Sequence, residues 1–523
     1  MEKTKPCKEA EKACPASLST SSTSRNEIVL PLTDIDQHQP STAAPDEALT
    51  IVSFEPNDPA NPHNCTTFFS TLPSNFSPPL PVSFHVPDPT GPQRVLPASL
   101  FLAGFVFGPL LWAPLSESPL VGRWRVLATG AALFVLFSVG QAVVQDWAAF
   151  LALRFLAGMA GSPPISVFGG VIADLYDGEV GRGRVIMIWS AMCFIGPLGA
   201  PIMSGFLSPK LGWRAVFWRL LLTFPPSRIA LSLPVTSLLG VLLMPETLAS
   251  AILRRKAVKL NKGNLDIGKR FVAETELKQE SAWDAYKTTL SRPWRLLLGE
   301  MVVSLSCAYM GFVYAVFYML IQIFPRVFQG VYGFSPGMSG ILFTITGLGT
   351  LIGCFIFFWY DGFAPRLSVK HPTKREEYLR LPLVCTGGPL FVVSMLWLGW
   401  SARPDIHWLV PLSSTISYGL ASHLIYVGII NYVTDAYGVY SASALAAMSM
   451  TRSAAGAVLP LAIEDMVDAL GIAWSCTVLA GVSAGLALVP FGFIAYGERI
   501  RAASRFSAAL KPGTRVENMN HRK

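Results

Sequence analysis

An all-α membrane protein with about eleven spans is the fold class this sequence predicts, and three observations predict it. The first is composition. The chain of 523 residues is 51% hydrophobic and only 14% charged, with mean hydropathy +0.45, where soluble domains carry about a quarter charged residues. The second is a series of apolar runs near the ~20 residues that cross a bilayer as a helix. They lie near 95–113, 126–144, 148–172, 185–205, 214–244, 301–324, 338–360, 381–400, 407–433, 442–463 and 474–496. The third is charge asymmetry. Segments 114–125, 173–184, 245–298, 361–380, 434–441 and 497–523 together hold 27 Lys and Arg, against 4 in the alternate loops when Arg214 is counted with them. That bias assigns the first set to the cytoplasm.

The same distribution disposes of other classes. A net charge of +8 would suit a nucleic-acid binder, but the basic residues sit in loops between apolar spans, so no nucleic-acid partner is expected. The eight cysteines show no metal or disulfide spacing. Cys193, Cys307, Cys354, Cys385 and Cys476 fall inside spans and read as small core residues. Neither G-x-x-x-x-G-K-[ST] nor H-E-x-x-H occurs, so a nucleotide-driven pump and a zinc protease lack their motifs. The expectation is no enzyme and no cofactor, with the lipid bilayer as the surrounding partner.

Taken in order, residues 1–94 are rich in Ser, Thr and Pro without helical periodicity and read as a disordered tail. No apolar signal sequence follows the early lysines. Prolines stud 66–93, so no spanning helix is expected there. Residues 95–244 form a first bundle, although Pro225 and Pro226 interrupt its last run. Residues 245–298 form a basic central loop with helical stretches at 247–260 and 281–290. In it, Trp283, Tyr286 and Trp294 beside Lys287, Arg292 and Arg295 fit either a helix at the headgroup level or a solvated linker. Residues 299–496 form a second bundle, and 497–523 a cytoplasmic tail.

The densest signal is Phe194-Ile195-Gly196-Pro197-Leu198-Gly199-Ala200-Pro201-Ile202-Met203-Ser204-Gly205. Prolines cost an isolated helix hydrogen bonds, which neighbours in a membrane bundle can restore. Small residues let backbones approach. This run resembles the G-P-x-x-G-P-x-x-G-G motif on the fifth span of drug:proton antiporters of the major facilitator superfamily. Gly196, Pro197, Pro201 and Gly205 match it, and Ala200 and Ser204 stand where it has glycine. Four further stretches are similar to fungal members: the leader at 54–64, 104–117, the span-four motif from Arg154 to Ser162, and Asn431-Tyr432-Val433-Thr434-Asp435-Ala436-Tyr437. The resemblance implies a major facilitator fold of two six-span bundles related as repeats. Eleven spans then leave span one missing, which fits a gene-model or splicing defect.

The resemblance also implies function: a monomer in the plasma membrane, exporting a small-molecule substrate such as a drug, polyamine or secondary metabolite in exchange for protons. A charge within a span costs at least ~2.5–3.5 kcal/mol on insertion scales, so Arg154 should face the interior and a partner; the resemblance gives it a part in proton coupling. Glu300 opens a span, and His423 titrates near neutral pH when unperturbed; both join the proton-coupling set. A lone His can equally be a packed polar residue. Tyr314 and Tyr318, four apart on one helix face, and Asn431 are candidates for the substrate cavity. The tyrosines could equally be packing. The gating and hinge set comprises Gly196, Pro197, Pro201 and Gly205, a Glu117/Arg123 latch, Asp435 anchoring a helix end, and Arg452, which could pair with Asp435 or snorkel. Two alternatives stand beside antiport: a facilitative carrier without proton coupling, and a truncated or mis-spliced relic that does not transport.

Overall fold

The computed structural model describes residues 80–86, 92–175, 179–222, 246–263, 282–369 and 375–503. The 1–79 tail, the Pro225–Pro226 interruption, the 264–281 part of the central loop and the 504–523 tail lie outside them. Every extended element among the described residues is helical. In the first half these are α1 (Leu80–Ser83), α2 (Pro92–Glu117), α3 (Arg123–Val143), α4 (Trp147–Gly161), α5 (Pro163–Leu175) and α6 (Glu179–Leu222). The central segment contributes α7 (Ala249–Gly263) and α8 (Ala282–Gly299). The second half comprises α9 (Met301–Pro325), α10 (Pro336–Val369), α11 (Arg375–Ser401), α12 (Leu409–Tyr437), α13 (Ser441–Val458), α14 (Ile463–Leu486) and α15 (Leu488–Ala503). Nine helical runs among the described residues are long and apolar enough to cross a membrane.

Two of those runs are too long for one crossing. The 44 residues of α6 would extend ~66 Å at 1.5 Å per residue, about twice the hydrocarbon thickness. Gly212 breaks it with φ 75°, ψ 161°, and Gly471 breaks α14 with φ 76°, ψ 170°. A positive φ of this kind suits glycine because it has no Cβ. Each glycine therefore ends one span and turns the chain into the next. In the second half the break follows the fifth span, whereas in the first half it follows the fourth described one. Among the described residues the two halves thus align with an offset of one helix.

The first-half core gathers Phe101, Phe134, Phe150, Trp213 and Phe217. Its tightest crossing joins α2 to α4. A Cβ at Gly104 would stand 2.3 Å from the Phe155 carbonyl oxygen, and one at Gly158 2.0 Å from that of Phe101. Only glycine lets these backbones meet. The stretch read as tail is corrected at its end, because α1 is packed. Leu80 is buried, and the Phe84 ring lies 5.3, 5.4 and 5.0 Å from Trp147, Phe150 and Trp213. Leu80 and Phe84 stand one helical turn apart, so even a four-residue helix presents an apolar face. The second-half core is centred on α9, whose Tyr309, Val316, Phe317 and Phe324 are all buried.

The halves meet most extensively along two helix pairs, α6 with α10 and α2 with α13. At the first seam α10 supplies the small residues. A Cβ at Gly340 would stand 2.6 Å from the Pro201 carbonyl oxygen, one at Gly337 2.6 Å from the Phe206 ring, and one at Gly347 2.9 Å from Leu198. The Gly/Pro run of α6 therefore faces a glycine-lined groove, and the α6 backbone stays helical through Pro197 and Pro201.

Candidate functional site

Between the halves lies a small cavity of about 30 Å³. The first half contributes Ile165 and Ile172 from α5 and Ile186 and Trp189 from α6. The second contributes Met310 from α9, Tyr426 and Ile430 from α12, and Leu445, Met448, Ser449 and Arg452 from α13. The wall is apolar apart from the α13 face, the Tyr426 hydroxyl and the Trp189 indole N–H. Ser449 and Arg452 stand three residues apart, on one side of that helix.

Arg452 is 5% exposed. Its Nη1 donates to the Tyr426 hydroxyl at 2.5 Å. Its guanidinium carbon lies 5.0 Å from the Tyr314 ring centroid and 5.4 Å from that of Tyr426, a cation held against two aromatic faces. Its Nε finds no hydrogen-bond partner, and neither does the Ser449 hydroxyl. The sequence expectation for Arg452 is overturned. It neither snorkels nor meets Asp435, whose carboxylate accepts from Arg380 Nε at 2.9 Å instead. That bond joins the end of α12 to α11.

Tyr314 and Tyr318 stand edge to face at 5.1 Å with hydroxyls 3.4 Å apart, so Tyr314 bridges Tyr318 and Arg452. Asn431 is turned back onto its own helix, donating to the Val427 carbonyl at 2.9 Å, one residue beyond the cavity-lining Ile430. His423 is fully buried. Its Nε2 stands 3.4 Å from Cys354 Sγ, and its Nδ1 lacks a partner. Phe194, on the motif-bearing helix, packs edge-on against His423 at 6.0 Å, Tyr426 at 5.2 Å and Phe317 at 5.9 Å. A first-half aromatic thus keys into second-half residues that lead to Arg452.

Arg154 approaches this group from the first half, within electrostatic reach of Tyr318, whereas Glu300 lies at the start of α9. Arg154, with 0% exposure, donates from Nε to the Pro97 carbonyl at 3.0 Å and from Nη1 to Gln141 at 3.4 Å, and stacks over Phe101 at 4.8 Å. These partners tie α4 to α2 and α3, and none of them is a carboxylate. Glu300 is buried at the start of α9 and accepts from the Tyr437 hydroxyl at 3.3 Å. The proton-coupling set is therefore spread over separate places and does not form one cluster.

The gating set divides too. Glu117 lies at the end of α2, within electrostatic reach of both Arg123 and Arg292. Arg123 is buried and donates to the Val167 carbonyl at 3.2 Å. Its backbone N–H is accepted by Glu246 at 2.9 Å. Glu246 also accepts from the N–H groups of Trp124, Thr247 and Leu248 and from Arg255 at 3.3 Å. One carboxylate thus caps the start of α3 and the approach to α7, where helix dipoles favour an anion. Across the halves, Arg184 on α6 pairs with Asp361 on α10 at 2.8 Å. Asp361 also meets Arg380 at 3.4 Å. Sequence reasoning missed Glu246, Arg184, Asp361, Arg380, Tyr426 and Ser449. Glu246 had a signal, an acidic residue just ahead of a helix start, and so did Ser449, one turn before Arg452. The ion pairs join residues 177 and 55 apart in the chain, beyond any local pattern.

The sequence profile of the Major Facilitator Superfamily matches residues 65–460. The chain belongs to the major facilitator superfamily. It is a multi-pass membrane transporter, not an enzyme. Superfamily members with similar sequences include the efflux pump FUBT of Fusarium oxysporum, 34% identical over 412 residues, which cover 78% of this chain and 67% of the pump. The major facilitator superfamily multidrug transporter mdrA of Aspergillus fumigatus is 34% identical over 415 residues, 79% of this chain and 66% of that protein. The efflux pump radE of Floropilus chiversii is 32% identical over 483 residues, 88% of this chain and 86% of the pump. Among solved structures, the superfamily's proton:xylose symporter XylE shares the fold, with TM-score 0.58 at 17% identity, covering 82% of this chain and 93% of that one.

Proposed function

We propose that this chain exports a small organic molecule by alternating access, acting as a monomer in the plasma membrane and exchanging substrate for protons. The observation that carries the reading is the cavity between the halves, walled by α5 and α6 on one side and α9, α12 and α13 on the other. A site built by both halves can open to either face as they rock. The similarity to fungal proteins called efflux pumps supports outward movement. In this mechanism the α6–α10 seam slides and the Arg184–Asp361 pair opens and closes. Gly196, Pro197, Pro201 and Gly205 shape the sliding face. The Arg123–Glu246 contact holds the first half together, with Glu117 at its edge. Arg154, Glu300 and His423 handle the proton.

Reconstitution into proteoliposomes tests this. An imposed pH gradient, acidic on the outer side of the protein, should speed export of a transported compound, and a protonophore should abolish the acceleration. Export indifferent to the gradient would replace antiport with facilitated transport. One observation favours that second reading: among the described residues the cavity wall carries a cation and no carboxylate.

The relic reading is tested separately. This chain is expressed beside one carrying an apolar span between Asn64 and Arg94. Surface delivery and export from both would remove it, and export from the restored chain alone would establish it.

A further inference from the structure

We propose that α7 is a docking face for anionic phospholipid headgroups of the cytoplasmic leaflet, binding those with more than one phosphate most tightly. Three observations carry the proposal, and none involves the cavity or its substrate.

The first is charge without a counterpart on the same helix. The 15 residues of α7 include Arg254, Arg255, Lys256, Lys259 and Lys262 and no Asp or Glu. Arg255 and Lys259 stand four residues apart, and Lys256 and Lys259 three apart, so these three share one side of the helix. All three are exposed. Arg255 reaches back to Glu246 at 3.3 Å, and Lys256 and Lys259 remain as the outward charges.

The second is what borders that side. Val258 is 44% and Leu260 38% exposed, and at 3.6 residues per turn they flank the basic side on its two edges. Ala257, on the opposite side, is buried. A basic stripe edged with hydrocarbon is what a helix lying on a charged leaflet presents, cations to the phosphates and apolar side chains to the boundary below.

The third is position. Glu246 accepts from the backbone N–H of Arg123 at 2.9 Å and of Trp124 at 3.4 Å, the first residues of α3. It also accepts from the N–H groups of Thr247 and Leu248, just ahead of α7. Because α3 is long and apolar enough to cross a membrane, its first residues mark the membrane boundary, and one carboxylate ties the approach to α7 to that level. The charge asymmetry predicts this end on the cytoplasmic side, where anionic lipids make the leaflet surface negative. The leaflet is therefore the acidic surface already beside the helix. Lys256 and Lys259 lie about one turn apart, so a headgroup with two phosphates can meet both.

Hydrogen exchange across 250–262 in the purified full-length chain tests the assignment. The nanodiscs contain phosphatidylcholine alone, or phosphatidylcholine with phosphatidylserine or with graded phosphatidylinositol 4,5-bisphosphate. Exchange should slow in both anionic discs, and at a lower mole fraction of the bisphosphate. Salt at about 1 M, where the screening length falls to about 3 Å, should restore it. One basic residue near a leaflet is worth roughly fivefold in binding, so Lys256→Gln with Lys259→Gln should raise the bisphosphate fraction for half-protection roughly 25-fold. Gln keeps helix propensity, and an unchanged melting temperature in neutral discs checks the fold; if the double variant fails that, the lipid and salt series on the unaltered chain decide. Lys210→Gln, at an exposed lysine predicted on the outer side, should change nothing.

Equal exchange in all three discs would overturn the proposal, as would protection that survives the double substitution or the salt. Equal potency of the two anionic lipids would overturn the preference for several phosphates. Protection in neutral discs by soluble inositol trisphosphate, matching that by the lipid, would replace the membrane with a free phosphate compound as the occupant.

Discussion

At the residue scale, buried cations set the terms. Arg154, Arg380 and Arg452 are each within 5% of complete burial, yet they are held in three ways: by carbonyl and amide oxygens, by carboxylates, and by tyrosines. For Arg380 the partners are charged, and breaking a buried pair by removing one member costs about 3–5 kcal/mol. Asp435→Asn should therefore lower the melting temperature of the detergent-solubilised protein sharply. Arg184→Ala, whose side chain is 45% exposed, should cost only about 0.2–1 kcal/mol. Similar melting shifts for both would show that the buried cluster is not a stability centre. Arg154 behaves differently because its donors reach fixed oxygens on α2 and α3. Arg154→Lys should lose nearly as much stability as Arg154→Ala, since an ammonium cannot reproduce the fork; full rescue by Lys would mean that only charge matters there. Arg154 was legible in the sequence as a charge within an apolar run. Its partners were not, because a search for a titratable neighbour looks for acids, whereas the Pro97 carbonyl and the Gln141 amide are among the groups that receive it. Arg452 misled for a related reason. Its contacts come from α9 and α12, and helical spacing along α13 cannot reveal them.

At the element scale, the helices were readable because hydropathy alone marks a span, and the central stretches at 247–260 and 281–290 reappear as α7 and α8. The seams were only half readable. The Gly/Pro run announced a close approach, but the groove that receives it belongs to α10, whose Gly337, Gly340 and Gly347 form no motif the sequence reading used. This separates two kinds of glycine. Gly340 lies between the halves, against the Pro201 carbonyl. Gly419 lies within the second half, where a Cβ would stand 2.0 Å from the Thr346 carbonyl oxygen. Both neighbours are backbone, so overpacking costs about 1–3 kcal/mol or more at either site. The consequences should differ. Gly419→Val should lower expression and melting temperature. Gly340→Val should leave the halves individually intact and slow transport, by forcing α6 and α10 apart. Measuring yield, melting and initial export rate for the pair checks this. A common loss of folding in both variants would show that the α6–α10 seam is part of the folding core and not a sliding surface.

At the scale of the whole molecule, sidedness follows from the charge count. By the alternation of spans, the Arg184–Asp361–Arg380–Asp435 cluster is predicted on the basic, cytoplasmic end and the Gly212 and Gly471 turns on the other. A tag at Lys523 should resist protease added to intact cells and be cut only after permeabilisation; cleavage from outside would invert the whole assignment. The two-half architecture was legible through its central loop and motifs. The one-helix offset between the halves was legible as a count, while the packed α1 was not, because four residues carry too little periodicity to register. The cavity's cation has an electrical consequence. Among the described residues Arg452 lines the cavity without an acidic partner, so exposing the empty cavity first to one side of the membrane and then to the other carries positive charge through part of the transmembrane field, at about 2.3 kcal/mol per elementary charge per 100 mV. Transient currents after voltage steps on proteoliposomes held on a solid support should shrink in Arg452→Gln; unchanged transients would place Arg452 outside the field.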